Sequence, residues 1–183
     1  EMINYFKYDY PEPENTVPFA VYSEVSKCPW NDNHELALIS LKGREIDMEE
    51  LPPNNFVFLI DVSGSMSAEN QLPLLKKSLQ LLVNQLRPQD RISIVIYAST
   101  TGIILDSACG DDKATIRVAI ENLKAGGSTA GASGINLAYS VAQKNFINGG
   151  NNRVILGTDG DFNVGVSSES ELKQLIAEKR DSG

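Results

Sequence analysis

Three short apolar runs, Phe56–Ile60, Ile92–Tyr97 and Arg153–Thr158, recur along the chain with helix-patterned sequence between them. A run that is apolar without alternation suits a strand covered on both faces, as in a parallel sheet wrapped by helices. After the first run, Leu72, Leu75, Leu79, Leu82 and Leu86 recur at three- and four-residue spacing, one stripe of a helix. Gly102–Asp106 follows the second run too closely for a helical crossover, so it reads as an edge strand. Ile116, Ile120 and Leu123 line a second helix, with Asp111 or Asp112 placed to cap it. A third helix carries Ile135, Ala138, Tyr139, Ala142 and Phe146, and Gly149-Gly150 is expected to end it. Beyond the last strand, Ser168 with Glu171 forms a capping box for a helix bearing Leu172, Leu175 and Ile176. The alternation predicts an α/β fold, a doubly wound and mostly parallel sheet.

Residues 1–52 follow another pattern and are predicted to form a small β-rich extension, with the sheet domain occupying 53–183. Tyr and Pro crowd the opening stretch. Two strand-like runs follow, Phe19–Val25 and Glu35–Leu41, with Asn31-Asp32-Asn33 as the turn between them. Pro52-Pro53 marks the boundary. Trp30 is expected to pack the extension against the sheet domain, and the one histidine, His34, to be a surface or packing residue. Cys28 and Cys109 fit no zinc or redox spacing, and a single bridge or two separate thiols are both compatible with the sequence.

Composition narrows the function. Apolar residues make up 42% of the 183, enough for a hydrophobic core. A net charge of −8 lacks the basic footprint of a nucleic-acid binder. No apolar run approaches the roughly 18 residues of a membrane span, and no signal-peptide pattern is visible.

In doubly wound sheets, ligands sit beyond the carboxyl ends of the strands, and three loops predicted there are chemically loaded. The first is Asp61-Val62-Ser63-Gly64-Ser65, where Gly64 lets the backbone turn so that both hydroxyls face one centre. The second is Gly126-Gly127-Ser128-Thr129, and the third Thr158-Asp159-Gly160. Asp61, Ser63, Ser65, Thr129 and Asp159 together offer two carboxylates and three hydroxyls, with no thiolate and no imidazole. All-oxygen sets suit Mg²⁺, Mn²⁺ or Ca²⁺. Neutral hydroxyls donate little charge, so the ion keeps an electrophilic position that a carboxylate from a partner protein can fill.

These residues resemble the metal-ion-dependent adhesion site of the von Willebrand factor type A family, Asp-x-Ser-x-Ser with a distant Thr and a distant Asp. Asp61, Ser63 and Ser65 match the first element, Thr129 the second and Asp159 the third. The resemblance implies a Rossmann-like sheet, metal-assisted protein recognition and no enzymatic activity. The stretch from Leu51 to Gly165 is most similar to bacterial members with an N-terminal leader, which implies export to the periplasm or cell surface, or lipid anchoring. The family's sheet has six strands and about four are readable before Gly183, so the chain is expected to be C-terminally truncated.

Rival readings are weaker. Without metal, Asp61 and Ser65 could merely cap the following helix, leaving a structural scaffold whose Lys76, Lys77 and Arg87 serve assembly or form a solvated face. Asp159, Asp161 and Asn163 begin like a calcium-binding EF-hand loop, but Val164 stands where glycine is required and Ser170 where glutamate is. A haloacid-type phosphatase needs Asp-x-Asp, and Ser63 replaces the second Asp. The Gly-x-Ser-x-Gly of a serine hydrolase does not occur around Ser63, Ser65 or Ser128. A metal-assisted hydrolase is chemically conceivable, but no residue pattern calls for it.

Overall fold

The computed structural model describes residues 6–14, 17–45, 47, 49–127, 132–160 and 169–180. The chain divides into two compact units, Glu1–Leu51 and Pro52–Gly183.

In the first unit, β1 (Phe19–Lys27) and β2 (Glu35–Gly43) form an antiparallel hairpin with Phe19 opposite Gly43 and Lys27 opposite Glu35. Strand alternation gives the hairpin two unlike faces. On one, Tyr10 stacks on Tyr22 at 5.1 Å between ring centroids, with Tyr8 stacked on Tyr10. The Tyr22 hydroxyl donates to the Pro11 carbonyl, and Ser40 Oγ to the Tyr10 hydroxyl. On the other face Phe19, Val21, Val25, Ile39 and Leu41 are exposed. Trp30 is 77% exposed. It lies in the hairpin turn, where the Cys28 and His34 backbones bond each other and leave the indole outside. His34 is exposed, as a surface residue should be. Cys28 and Cys109 are both free thiols.

The second unit is an α/β, Rossmann-like fold. Its sheet has the order β5-β4-β3-β6, with β3 (Asn54–Asp61), β4 (Arg91–Tyr97), β5 (Thr101–Cys109) and β6 (Asn151–Gly157). β3 pairs in parallel with both β4 and β6, and β5 closes one edge antiparallel to β4. The short β4–β5 connection forbids a crossover and forces that antiparallel edge. At Ser107 the register of β5 slips, φ reaches +51°, and Ser93 Oγ accepts the freed Ser107 N–H at 2.9 Å.

Both faces of β3 and β4 are covered, which is why they read as unbroken apolar runs, whereas the third run, β6, expected to be buried likewise, leaves Ile155 and Leu156 exposed. On one face α1 (Leu72–Gln85) and α2 (Lys113–Glu121) press Leu72, Leu79, Val83, Ile116 and Ile120 onto Phe58, Ile60, Ile92 and Ile94. On the other, α3 (Ala132–Lys144) sets Ile135, Ala138 and Val141 against Val57, Leu59, Val95 and Tyr97. Gly134 allows this closeness, since a Cβ there would lie 2.9 Å from that of Tyr97. Of the two proposed caps, Asp112 is the one that caps α2, accepting from Thr115 N.

Helix ends differ from the expectation in two places. Leu86 follows α1 in extended conformation yet stays buried, so one residue of the leucine stripe is not helical. α3 stops at Lys144, well before Gly149-Gly150, and leaves Phe146 outside the helix and exposed. Asn152 explains the early stop: its amide bonds both the N–H and the carbonyl of Ile147, drawing the chain into a turn. Gly149 (φ +72°) belongs to that turn and not to the helix end. A last helix, α4 (Glu169–Arg180), is present with Ile176 exposed, while its proposed Ser168 cap lies outside the described residues. Among the described residues no helix is long and apolar enough to cross a membrane.

Candidate metal site

The topology fixes where a site can form. β4 is added on one side of β3 and β6 on the other, so the strand order reverses at β3. Adjacent loops diverge there and leave a crevice at the carboxyl ends. Asp61 ends β3 directly beside Tyr97 of β4, and Ile60 is level with Gly157, so Thr158 and Asp159 leave β6 on the other side of Asp61.

Asp61 is fully buried. Its Oδ1 accepts from Ser63 N at 2.8 Å, which curls the chain into a tight turn at the end of the strand. Its Oδ2 is buried and has no hydrogen-bond partner. Ser63 is buried too, and its Oγ lies 3.0 Å from Ser65 Oγ, so the two hydroxyls meet as the spacing required. A single 3-10 turn, Gly64–Ser67, then carries the chain towards α1. Asp61, Ser63 and Ser65 are thus brought together.

The second loop is tied to the first by backbone bonds. Gly64 N donates to Gly127 O at 3.0 Å and Gly126 N to Val62 O at 2.8 Å. Gly127 has φ +84°, and a Cβ there would come within 2.6 Å of Ser99 Oγ, so both conformation and space require glycine. Thr129 lies outside the described residues. Its described flanks are held, since Gly127 is bonded to Gly64 and Ser133, early in α3, meets Thr101 Oγ1 at 2.6 Å.

In the third loop Thr158 Oγ1 accepts from Gly160 N at 3.2 Å. Asp159 is exposed and borders a cavity of about 440 Å³ that also reaches Met66, the residue after Ser65. None of Asp61, Ser63 and Ser65 lines that cavity, whose remaining wall is Asn70, Gln71, Leu74, Leu75 and Ser78 of the α1 side with Gly157 and Thr158 at the end of β6. The possible calcium loop falls on Asp161 and Asn163, outside the described residues.

Tyr97, legible in the sequence only as a strand residue, belongs to this neighbourhood. Its phenol lies beside Asp61 and Thr158. Burial, reinforced by the negative charges of Asp61 and Asp159 and only partly offset by Thr158, pushes the phenol above its ordinary range. It stays a neutral hydroxyl. The signal for it was its register: the last residue of a buried strand, directly opposite Asp61.

The donor set can be tested against a hard cation on these observations. A buried carboxylate oxygen with no close hydrogen bond is costly to leave in place, and either a cation or the Tyr97 hydroxyl beside Asp61 would satisfy it. Two hydroxyls beside it supply further neutral oxygens. Among the described residues no three His, Cys, Asp or Glu side chains gather. What Asp61, Ser63 and Ser65 offer together is one carboxylate and two hydroxyls, oxygen donors of the kind a hard divalent ion prefers.

The comparisons with known proteins agree with this architecture. Residues 56–161 match the family model described as von Willebrand factor type A domain. The chain belongs to the von Willebrand factor type A family. A second model, described as von Willebrand factor, matches residues 1–38. This von Willebrand factor type A chain is 44% identical over 190 residues to the uncharacterized protein YfbK of Escherichia coli, covering all of the chain and 33% of that protein. It spans a third or less of the length of the curated relatives it matches. Among solved structures, BatB from Bacteroides thetaiotaomicron superposes with a TM-score of 0.56 at 22% identity, over 68% of this chain and 62% of that one. The type V pili tip protein Mfa5 from Porphyromonas gingivalis does so with 0.51 at 21%, over 80% and 27%. Both likenesses are of fold.

Proposed function

We propose that the chain is a protein-interaction module that captures an acidic side chain of a partner through a divalent cation. Asp61, Ser63, Ser65, Thr129 and Asp159 would hold Mg²⁺, or Mn²⁺ or Ca²⁺ in its place. The observation that carries the reading is the buried, unpartnered Oδ2 of Asp61 beside the Ser63–Ser65 hydroxyl pair.

The bound ion supplies a positive, partly unfilled coordination sphere at the molecular surface. Everything else is the work of the chain. The Ser63 N–H fixes the Asp61 carboxylate so that Oδ1 is committed and Oδ2 is not. The Gly64–Gly127 and Gly126–Val62 bonds clamp the first two loops, so the hydroxyls are pre-positioned. Hydroxyls in place of further carboxylates leave the site short of negative charge, which favours an incoming carboxylate over water. Ser65 and Asp159 are exposed and Asp61 and Ser63 buried, so an incoming group would meet the first pair before the second. A place at the bacterial surface belongs to the same reading and is supported by the fold shared with a pilus tip protein.

Calorimetric titration of Mg²⁺, Mn²⁺ and Ca²⁺ into EDTA-stripped protein tests this. One saturable site in the wild type, lost in Asp159→Ala, is expected. Equal heats in wild type and variant, or none in either, would show that these loops hold no ion.

A further inference from the structure

We infer that the groove between α1 and α2 is a second subsite of the partner-binding face, taking an acidic segment anchored by a large apolar side chain. The groove encloses about 550 Å³, within the range of ordinary binding clefts. Its floor is apolar, with Met66, Leu72 and Leu123 all buried beneath it. Its rim is basic, with Lys76, Lys77 and Lys124 against the lone carboxylate of Glu121. Three lysines less one glutamate leave two positive charges here, in a chain whose net charge is −8.

The lysines are not equivalent. Lys76 Nζ donates to the carbonyls of Glu121 and Leu123 at 2.7 and 3.1 Å, so it neutralises the carboxyl end of α2 and shapes the groove. Lys77 and Lys124 are exposed and have no ion-pair partner among the described residues. Their charge is available to a ligand. An acidic segment satisfies them, and an apolar side chain on the same segment fills the floor.

Position links the groove to the metal loops. Met66 directly follows Ser65, and Ala125 at the groove's end directly precedes Gly126, which is bonded to Val62. A peptide whose carboxylate reaches those loops would have the groove next to it, since Met66 and Ala125 adjoin both. The inference rests on the metal-dependent reading for its partner, and its test separates the two.

Random 12-residue peptides displayed on phage are selected on the full chain in Mg²⁺. Enriched peptides are then synthesised and titrated against wild type, Lys77→Glu/Lys124→Glu, the milder Lys77→Ala/Lys124→Ala, and Asp159→Ala. Enrichment of net-negative sequences with a large apolar residue is expected. Their affinity should fall at least about tenfold in the charge-reversed variant and less in the alanine variant, as for paired interfacial charges. Mg²⁺ titrations of both lysine variants should match wild type. Absence of enrichment, selection of basic or uncharged peptides, or undiminished binding to both lysine variants overturns the groove. Peptides lost by the lysine variants but kept by Asp159→Ala support the groove and overturn its coupling to the metal.

Discussion

At the residue scale, Asp61 concentrates the argument, because a carboxylate is placed where it is most costly and one oxygen is left unpaired. Asn keeps the Oδ1 that accepts the Ser63 N–H and removes the buried charge. Asp61→Asn should therefore stabilise the metal-free protein by about 1 kcal/mol while abolishing any Mg²⁺-dependent rise in Tm. Thermal melts with EDTA and with Mg²⁺ read both effects, and a lower Tm in EDTA would contradict the first. Gly127 is the complementary case. Alanine there must adopt φ +84° and meet Ser99 Oγ at 2.6 Å, so Gly127→Ala should cost about 1–3 kcal/mol and weaken Mg²⁺ binding with it. Calorimetry beside denaturant unfolding checks that the two losses occur together.

At the scale of elements, the end of the sheet opposite the site is held by polar groups that no periodicity reveals. Asn54 and Asn55 of β3 lie level with Asn151 and Asn152 of β6. Asn55 Nδ2 donates to Asn152 Oδ1 and to the Ala142 carbonyl, and Asn151 Nδ2 to Asn54 Oδ1. Asp90 accepts from Asn54 N, from Arg87 N and from the Arg87 guanidinium, which also donates to the Pro52 carbonyl. Arg87 and Lys76, read from the sequence as helix-surface charges, are thus structural. Burial of Asp90 raises its carboxyl, but the bonds from Arg87 and Asn54 outweigh that and hold it below the ordinary 3.8. The stability it gives is complete above that value and is lost as pH falls through the lowered one. Asp90→Ala should destabilise by about 3 kcal/mol near neutrality, because it leaves the guanidinium without its carboxylate and Asn54 N–H and Arg87 N–H without their acceptor. The deficit relative to wild type should shrink in urea titrations carried progressively below pH 4, and a constant deficit would disprove the linkage.

At the scale of the whole molecule, the proposed ion and the fold would be thermodynamically linked. An ion that binds only the folded chain at about 100 times its Kd adds about 2.7 kcal/mol, so EDTA should lower the Tm of the wild type by several degrees. All five proposed ligands lie in the unit Pro52–Gly183. Residues 52–183 expressed without the hairpin unit should bind Mg²⁺ within roughly a factor of two of the intact chain. A larger loss by calorimetry would mean that the first unit shapes the site.

Much of this was legible before folding. The β3 and β4 strands, the α1 and α2 stripes and the edge strand β5 follow from local periodicity, because burial on one or both faces imposes a pattern that the chain itself carries. Asp61, Ser63 and Ser65 were legible for the same reason: three oxygen side chains gathered on one turn need fixed short spacing. What periodicity could not reveal depends on neighbours distant in sequence. The end of α3 was decided by Asn152, the exposure of Trp30 by its hairpin turn, the place of Tyr97 by parallel register with Asp61, and the role of Lys76 by the end of a helix 45 residues away. Sequence determines which faces must be buried and which short turns can gather oxygens. Only tertiary packing decides which distant groups complete them, because hydrogen bonds and charges act through space and leave no period along the chain.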